Sequence, residues 1–177
     1  RAAKNRNLLL FVGAGVSMNL GLPSWTQLMA QVAEELGYDP DIFKGFGDNL
    51  VLAEYYKATV GSLKPLIEKM DREWHDPEFD VSKSAIHRLI VDIAPSVIYT
   101  TNYDRWLEEA FDFYKKKYVK IVTVSDIGKA REGVTQIVKF HGDLDYISSI
   151  VLTESSYFDR LSFESPLDIK FRADTLH

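Results

Sequence analysis

The sequence has no cysteine among its 177 residues. That excludes disulfides, a thiol nucleophile and every thiolate zinc module, so any chemistry must run on oxygen and nitrogen side chains or on backbone amides. Long apolar runs are missing too. Leu8–Val12 is strand-sized, far short of the roughly 20 residues of a membrane helix, and no cleavable signal is expected before it. Positive charge is scarce: 21 Lys and Arg stand against 26 Asp and Glu, a net charge of -5. This argues against direct nucleic-acid binding, which needs clustered basic residues. The one basic run, Lys115-Lys116-Lys117, follows an apolar-periodic segment and fits a solvated helix end, where the helix dipole favours cations. A cytoplasmic protein without membrane contact is expected.

What is present is ordinary for a globular domain, 46% hydrophobic and 27% charged. A chain of this length supports one sizeable core, and a single domain over 1–177 is expected. Asn7–Val12 is a continuous apolar run, the mark of a strand covered on both faces of a parallel sheet. It ends at Gly13-Ala14-Gly15, read as a turn. A helix over Thr26–Leu36 follows, with Ser24 as its N-cap and Gly37 as its stop. Helical spacing recurs over Asn49–Ala58, Ser62–Glu73 and Ser82–Ile93, which predicts a small helical insertion at about 38–95. Further strands are expected at Ser96–Thr100, Lys120–Val124 and Gln136–Phe140, with Ile150–Leu152 a short strand or extended stretch. Helices are expected through Trp106–Phe111, from a Thr153 cap, and from Ser165 with Pro166 at the first position. Alternating strands and helices predict an α/β, Rossmann-like fold with a mostly parallel sheet flanked by helices.

Three of these strands end in polar or glycine-rich text: Gly13-Ala14-Gly15-Val16-Ser17, Thr100-Thr101-Asn102-Tyr103-Asp104 and His141-Gly142-Asp143. If the strands are parallel, all three clusters share the carboxyl edge of the sheet, where ligands of open α/β sheets bind. Gly13 and Gly15 let a diphosphate approach backbone amides, although they fit a ligand-free turn equally well. The segment is not a P-loop, and the dinucleotide fingerprint fails at its third glycine, where Met18 stands. Asn102 and Asp104 fit either a site or helix capping, and His141 either a general base or a satisfied strand-end histidine. His75 falls in a loop and His87 on an apolar helix face. Asp143 and Asp145 beside His141 lack a second ligand cluster, so no metal site is expected. Trp25, Tyr55, Tyr56 and Trp106 lie in helical patterns and are read as core.

Together, in order and spacing, the three clusters resemble the sirtuin-like family of NAD-consuming enzymes. Gly13–Ser17 with Gly21-Leu22-Pro23 is similar to the family's first nucleotide loop, Thr101-Asn102-Tyr103-Asp104 to its Asn-x-Asp motif, and His141-Gly142 to its histidine-glycine pair. Asp48–Tyr56 and Tyr157–Leu161 are similar to the bacterial branch. The protein-deacylating members carry an arginine after the loop proline, where this chain has Ser24-Trp25, and a four-cysteine zinc module, which this chain cannot form. The sequence looks more like the zinc-free bacterial domains of anti-phage defence proteins. The resemblance implies cleavage of NAD, as substrate, to ADP-ribose and nicotinamide. It implies catalytic roles for Asn102, His141 and Asp104, and nucleotide contacts from Gly13, Ala14, Gly15, Ser17 and Thr101. A non-catalytic NAD or ADP-ribose sensor and an NAD-dependent deacylase are the alternatives. It also implies a regulatory domain or partner outside this chain, and leaves room for a homo-oligomer. The family closes its site with a later strand and acidic residue that nothing after Leu161 supplies, so the chain is expected to stop inside the domain.

Overall fold

The computed structural model describes residues 8–160 and 165–176. Asn7 and Leu161, assigned above to a strand and a motif, lie outside the described residues. The centre is a sheet of β1 (Leu9–Val12), β2 (Val97–Thr100), β3 (Tyr118–Ile121) and β4 (Thr135–Lys139), in spatial order β1-β2-β4-β3 with every pair parallel. Each of these strands has four or five residues, and β2 is buried at all four positions, as a strand between two neighbours and two covered faces must be. The register aligns Val12 with Thr100 and Thr100 with Lys139, so β1, β2 and β4 end level at one edge.

The period-two alternation of strand side chains divides the core in two. Ile98 and Ile137 point into the larger cluster, while Val97, Tyr99 and Val138 point to the other face. Among the described residues the helices are α1 (Ala14–Met18), α2 (Trp25–Glu35), α3 (Pro40–Lys44), α4 (Asn49–Val60), α5 (Lys64–Trp74), α6 (Ala85–Ile93), α7 (Trp106–Phe113), α8 (Val124–Ile127), α9 (Glu154–Arg160) and α10 (Pro166–Thr175). Leu28, Met29, Val32 and Ala33 of α2, Leu52 and Tyr56 of α4, and Leu66, Ile67 and Met70 of α5 fill the larger cluster. Leu167 and Phe171 of α10 cover the smaller one, Phe171 lying edge-on to Tyr99 at 4.9 Å.

Local signals account for most boundaries. Ser24 caps α2 in a reciprocal capping box with Gln27, and Gly37 beyond its end takes a positive φ of 78°. Ser165 caps α10 in the same way with Asp168, and Pro166 occupies the first position. Three expectations shift. Gly13-Ala14-Gly15 is not a bare turn, because Ala14 opens α1. The third strand ends at Ile121 instead of running to Val124, because Thr123 and Asp126 form a capping box that starts α8. Ile150, with extended backbone, opens a stretch through Leu152 that does not join the sheet; Val151 N donates to His141 O at 2.8 Å. Between β1 and β2 lie α1 to α6, the last preceded by a 3₁₀ turn at Val81–Lys83.

Candidate active site

Because β1, β2 and β4 are parallel and end level, the segments that follow them meet. A cavity of about 280 Å³ opens there, lined by Ala14, Ser17, Thr101, Asn102, Asp104 and His141 together with the apolar walls of Leu22, Pro23, Trp25, Leu28, Leu50, Trp74, Tyr103, Val151 and Tyr157. Six of the eight residues expected at the site therefore share one cavity. Gly13 and Gly15 flank it without lining it. Neither has a positive φ, and a Cβ built on either meets nothing within 4 Å. The protein itself does not demand glycine at these two positions, unlike Gly142. That residue turns the chain after His141 with φ +97°, and a Cβ there would stand 2.3 Å from the Ser149 carbonyl oxygen.

Asn102 is buried and rigidly held. Its backbone N–H donates to Thr100 Oγ1 at 3.0 Å, and its side-chain Nδ2 donates to the Gly13 carbonyl at 3.1 Å and to Ser17 Oγ at 2.9 Å. A carbonyl only accepts, so the amide must turn its NH₂ toward Gly13, and Oδ1 is left as an acceptor that no described residue engages. Asp104 is buried as well, and Oδ1 accepts from Trp106 N at 3.1 Å, fastening the start of α7. The capping reading of Asp104 thus holds, and the same residue also lines the cavity. His141 follows β4 with its ring edge-to-face against Tyr157, centroids 5.8 Å apart. Burial, and secondarily the Arg160 guanidinium, hold its imidazole below the ordinary histidine value, so it is neutral at neutral pH.

Sequence reasoning missed part of the wall. Trp25, expected in the core, is half-buried at the cavity and lies edge-on to Tyr103 at 6.2 Å, while the Tyr103 hydroxyl donates to the Val151 carbonyl at 2.6 Å. Helical periodicity marks such residues only as apolar. Asp143 and Asp145 are engaged with cations: Lys120 Nζ lies 3.2 Å from Asp143 and 2.5 Å from Asp145. Among the described residues no group of three or more His, Asp or Glu is placed to hold a metal ion. No helix there is long and apolar enough to cross a membrane.

Residues 96–176 match the family described as SIR2-like domain. The NAD(+) hydrolase ThsA of Enterococcus faecium is 32% identical over 158 residues, which cover 88% of this chain and 32% of that protein. The protein of the same name from Bacillus cereus is 28% identical over 152 residues, 85% of this chain and 31% of its own length. Defense-associated sirtuin 2 of Bacillus subtilis is 25% identical over 168 residues, 89% of this chain and 16% of that protein. The chain thus spans about a third or less of the curated relatives it matches. The parallel Rossmann-like sheet, the polar cavity at its carboxyl edge and these matches give the chain a SIR2-like region over residues 96–176 and make it similar, over most of its length, to these sirtuin-like proteins.

Proposed function

We propose that this domain cleaves the nicotinamide-ribose bond of NAD, releasing nicotinamide and ADP-ribose, as part of a bacterial defence protein. The observation that carries the reading is the meeting of a fixed Asn102, a neutral His141 and Asp104 in one apolar-walled cavity at the carboxyl edge of a parallel sheet. The names of the relatives, NAD(+) hydrolase and defence-associated sirtuin, support it. At about 280 Å³ the cavity is at the lower end for small-molecule sites, suited to the nicotinamide-ribose half of the dinucleotide while the remainder extends outward past Ala14 and Gly15. Ala14 and Gly15, the first two residues of α1, have amides with no carbonyl partner within the helix, whereas Val16 N donates to the Gly13 carbonyl at 3.1 Å; Gly13 and Gly15 leave open space there, so a diphosphate can approach closely.

Loss of nicotinamide leaves an oxocarbenium-like centre and a neutral leaving group, so orientation and charge stabilisation matter more than a strong acid. Asn102 Oδ1 accepts a hydrogen from the attacking water or a ribose hydroxyl. His141, neutral and in reach of the same space, takes the proton as the C–O bond forms. Asp104 bonds the nicotinamide carboxamide, while Ser17 and Thr101 complete the polar lining. The walls of Trp25, Trp74 and Tyr157 exclude bulk water around the developing charge.

Deacylation is disfavoured because the zinc module cannot form without cysteine, and a pure sensor has no need of the Asn102–His141 pair. Incubating the natural protein that carries this chain with NAD separates the three readings. Nicotinamide and free ADP-ribose released without peptide are expected. Saturable binding without release would indicate a sensor, and strict dependence on an acetylated peptide a deacylase.

A further inference from the structure

Two loops carry the three residues given catalytic roles, Thr101–Asp104 after β2 and Phe140–Asp143 after β4, and one buried cation joins them. Lys139, the last residue of β4, is 1% exposed. Its Nζ lies 3.2 Å from Asp143 Oδ2 and 3.3 Å from Glu108 Oε1, and it donates to the backbone carbonyl of Asp104. The three directions of the ammonium thus reach the loop holding Asn102 and Asp104, the turn holding His141, and α7. Burial works against this charge, and Glu108 and Asp143 outweigh it, so the group stays protonated.

A lysine is a costly choice for stability alone. Taking an ammonium out of water is unfavourable, and replacing a buried ion pair with well-packed apolar residues is often neutral or stabilising. Glu108 adds to the cost: burial pushes its carboxyl up, and neither oxygen has a hydrogen-bond partner among the described residues. What an apolar side chain cannot do is hold the Asp104 carbonyl and the Asp143 carboxylate at fixed points on one atom. We propose that Lys139 is a positioning residue of the active site, clamping the Asn102–Asp104 loop against the His141–Asp143 turn so that Asn102 and His141 face the same reacting bond. The proposal rests on the catalytic roles given above to those two residues.

The test is the double variant Lys139→Met/Glu108→Leu in the natural protein, which removes one cation and one carboxyl together and leaves Asp143 paired with Lys120. A folded protein is expected, with kcat for NAD cleavage down about 100-fold, the effect of roughly an ångström of misplacement, while KM and the acid limb of the pH profile stay near wild type. Amide hydrogen exchange at 101–104 should accelerate while exchange in β2 and β4 does not. Glu108→Leu alone, which leaves the Lys139 contacts to Asp104 and Asp143, should turn over normally. Wild-type kcat and unchanged loop exchange in the folded double variant would overturn the proposal. So would a rise in KM without loss of kcat, or unfolding of the double variant, which would make Lys139 a stability element. Asn102→Ala measured alongside separates the two claims: full turnover there sinks the site assignment itself, whereas loss there with a fully active double variant sinks only the role of Lys139.

Discussion

Asn102 Nδ2 lies 2.9 Å from the hydroxyl of Ser17, a residue 85 positions earlier in the chain. With its other amide hydrogen on the Gly13 carbonyl, the side chain is locked, and the first loop becomes the mould for the residue proposed to orient the nucleophile. Ser17→Ala removes one of the two bonds, and a neutral hydrogen bond is worth about 1 kcal/mol, so kcat should fall by between about three- and tenfold. Asn102→Asp is nearly isosteric but sets a carboxylate oxygen against the Gly13 carbonyl, and should cost far more. Steady-state rates of nicotinamide release check both. Equal losses would mean that the Ser17–Gly13 cradle does not orient Asn102.

Neutral His141 sets the pH dependence. Burial and the Arg160 charge hold its value below that of an ordinary histidine, so the unprotonated base persists into weakly acidic solution and the acid limb of kcat should fall below about pH 6.5. Removing the nearby positive charge makes the imidazolium less unfavourable. Arg160→Gln should therefore move the limb to higher pH, while Arg160→Lys should leave it near wild type. Arg160 also pairs with buried Asp168 at 3.2 Å, so folding of each variant is confirmed by thermal melting. A limb that Arg160→Gln does not move would argue against His141 as the titrating base.

The glycines separate fold from ligand. Gly142→Ala forces a positive-φ alanine whose Cβ meets the Ser149 backbone, and should destabilise the protein by roughly 2–4 kcal/mol. Gly15→Ala meets no protein atom and lies within α1, where alanine is favoured by up to about 1 kcal/mol. Its melting temperature should hold or rise while NAD binding weakens, because the new methyl occupies the approach to the α1 amides. Calorimetric titration and thermal melting report the two effects separately. Unchanged NAD affinity would place the diphosphate elsewhere.

A distant contact controls how α9 docks. Glu54 Oε2 on α4 accepts from Ser155 N at 3.0 Å and from the Ser155 hydroxyl at 2.6 Å, in the first turn of α9. These bonds, the hydroxyl's first, lower the Glu54 carboxyl to about 2. A depressed carboxylate stabilises the fold fully above its ordinary value near 4.5, and that contribution fades as pH falls toward 2. Glu54→Gln should cost about 1 kcal/mol at neutral pH, as for loss of a helix cap, and the gap from wild type should close between those two values. Urea unfolding across that range measures it. A gap independent of pH would contradict the assignment.

Much of the fold and most of the polar lining of the candidate site are legible in the sequence, for physical reasons. Short apolar runs betray strands buried on both faces, and Ser24, Ser165 and Pro166 announce helix starts through their own hydrogen-bonding chemistry. Parallel strands then force Asn102, Asp104 and His141 onto one edge with Ala14 and Ser17. The misses have causes as definite. Five residues are too few for α1 to show a helical period, and glycines on either side of Ala14 suggest a turn. The Thr123-x-x-Asp126 capping signature was readable, but the apolar Ile121–Val124 stretch obscured it. Trp25 looks like core because a cavity wall and a core face carry the same pattern. Lys139 carries no linear signal, since its partners come from positions 104, 108 and 143 and meet only in the folded chain.

Breaking of the nicotinamide-ribose bond in the Asn102–His141 cavity is the central expectation. Nicotinamide release from NAD by the natural protein, compared with its Asn102→Ala and His141→Ala variants under conditions where all three melt alike, tests this most directly. Each substitution should lower kcat by about 100-fold or more, the scale of lost acid-base and orienting groups, while NAD still binds. Wild-type release from either variant would contradict the central claim.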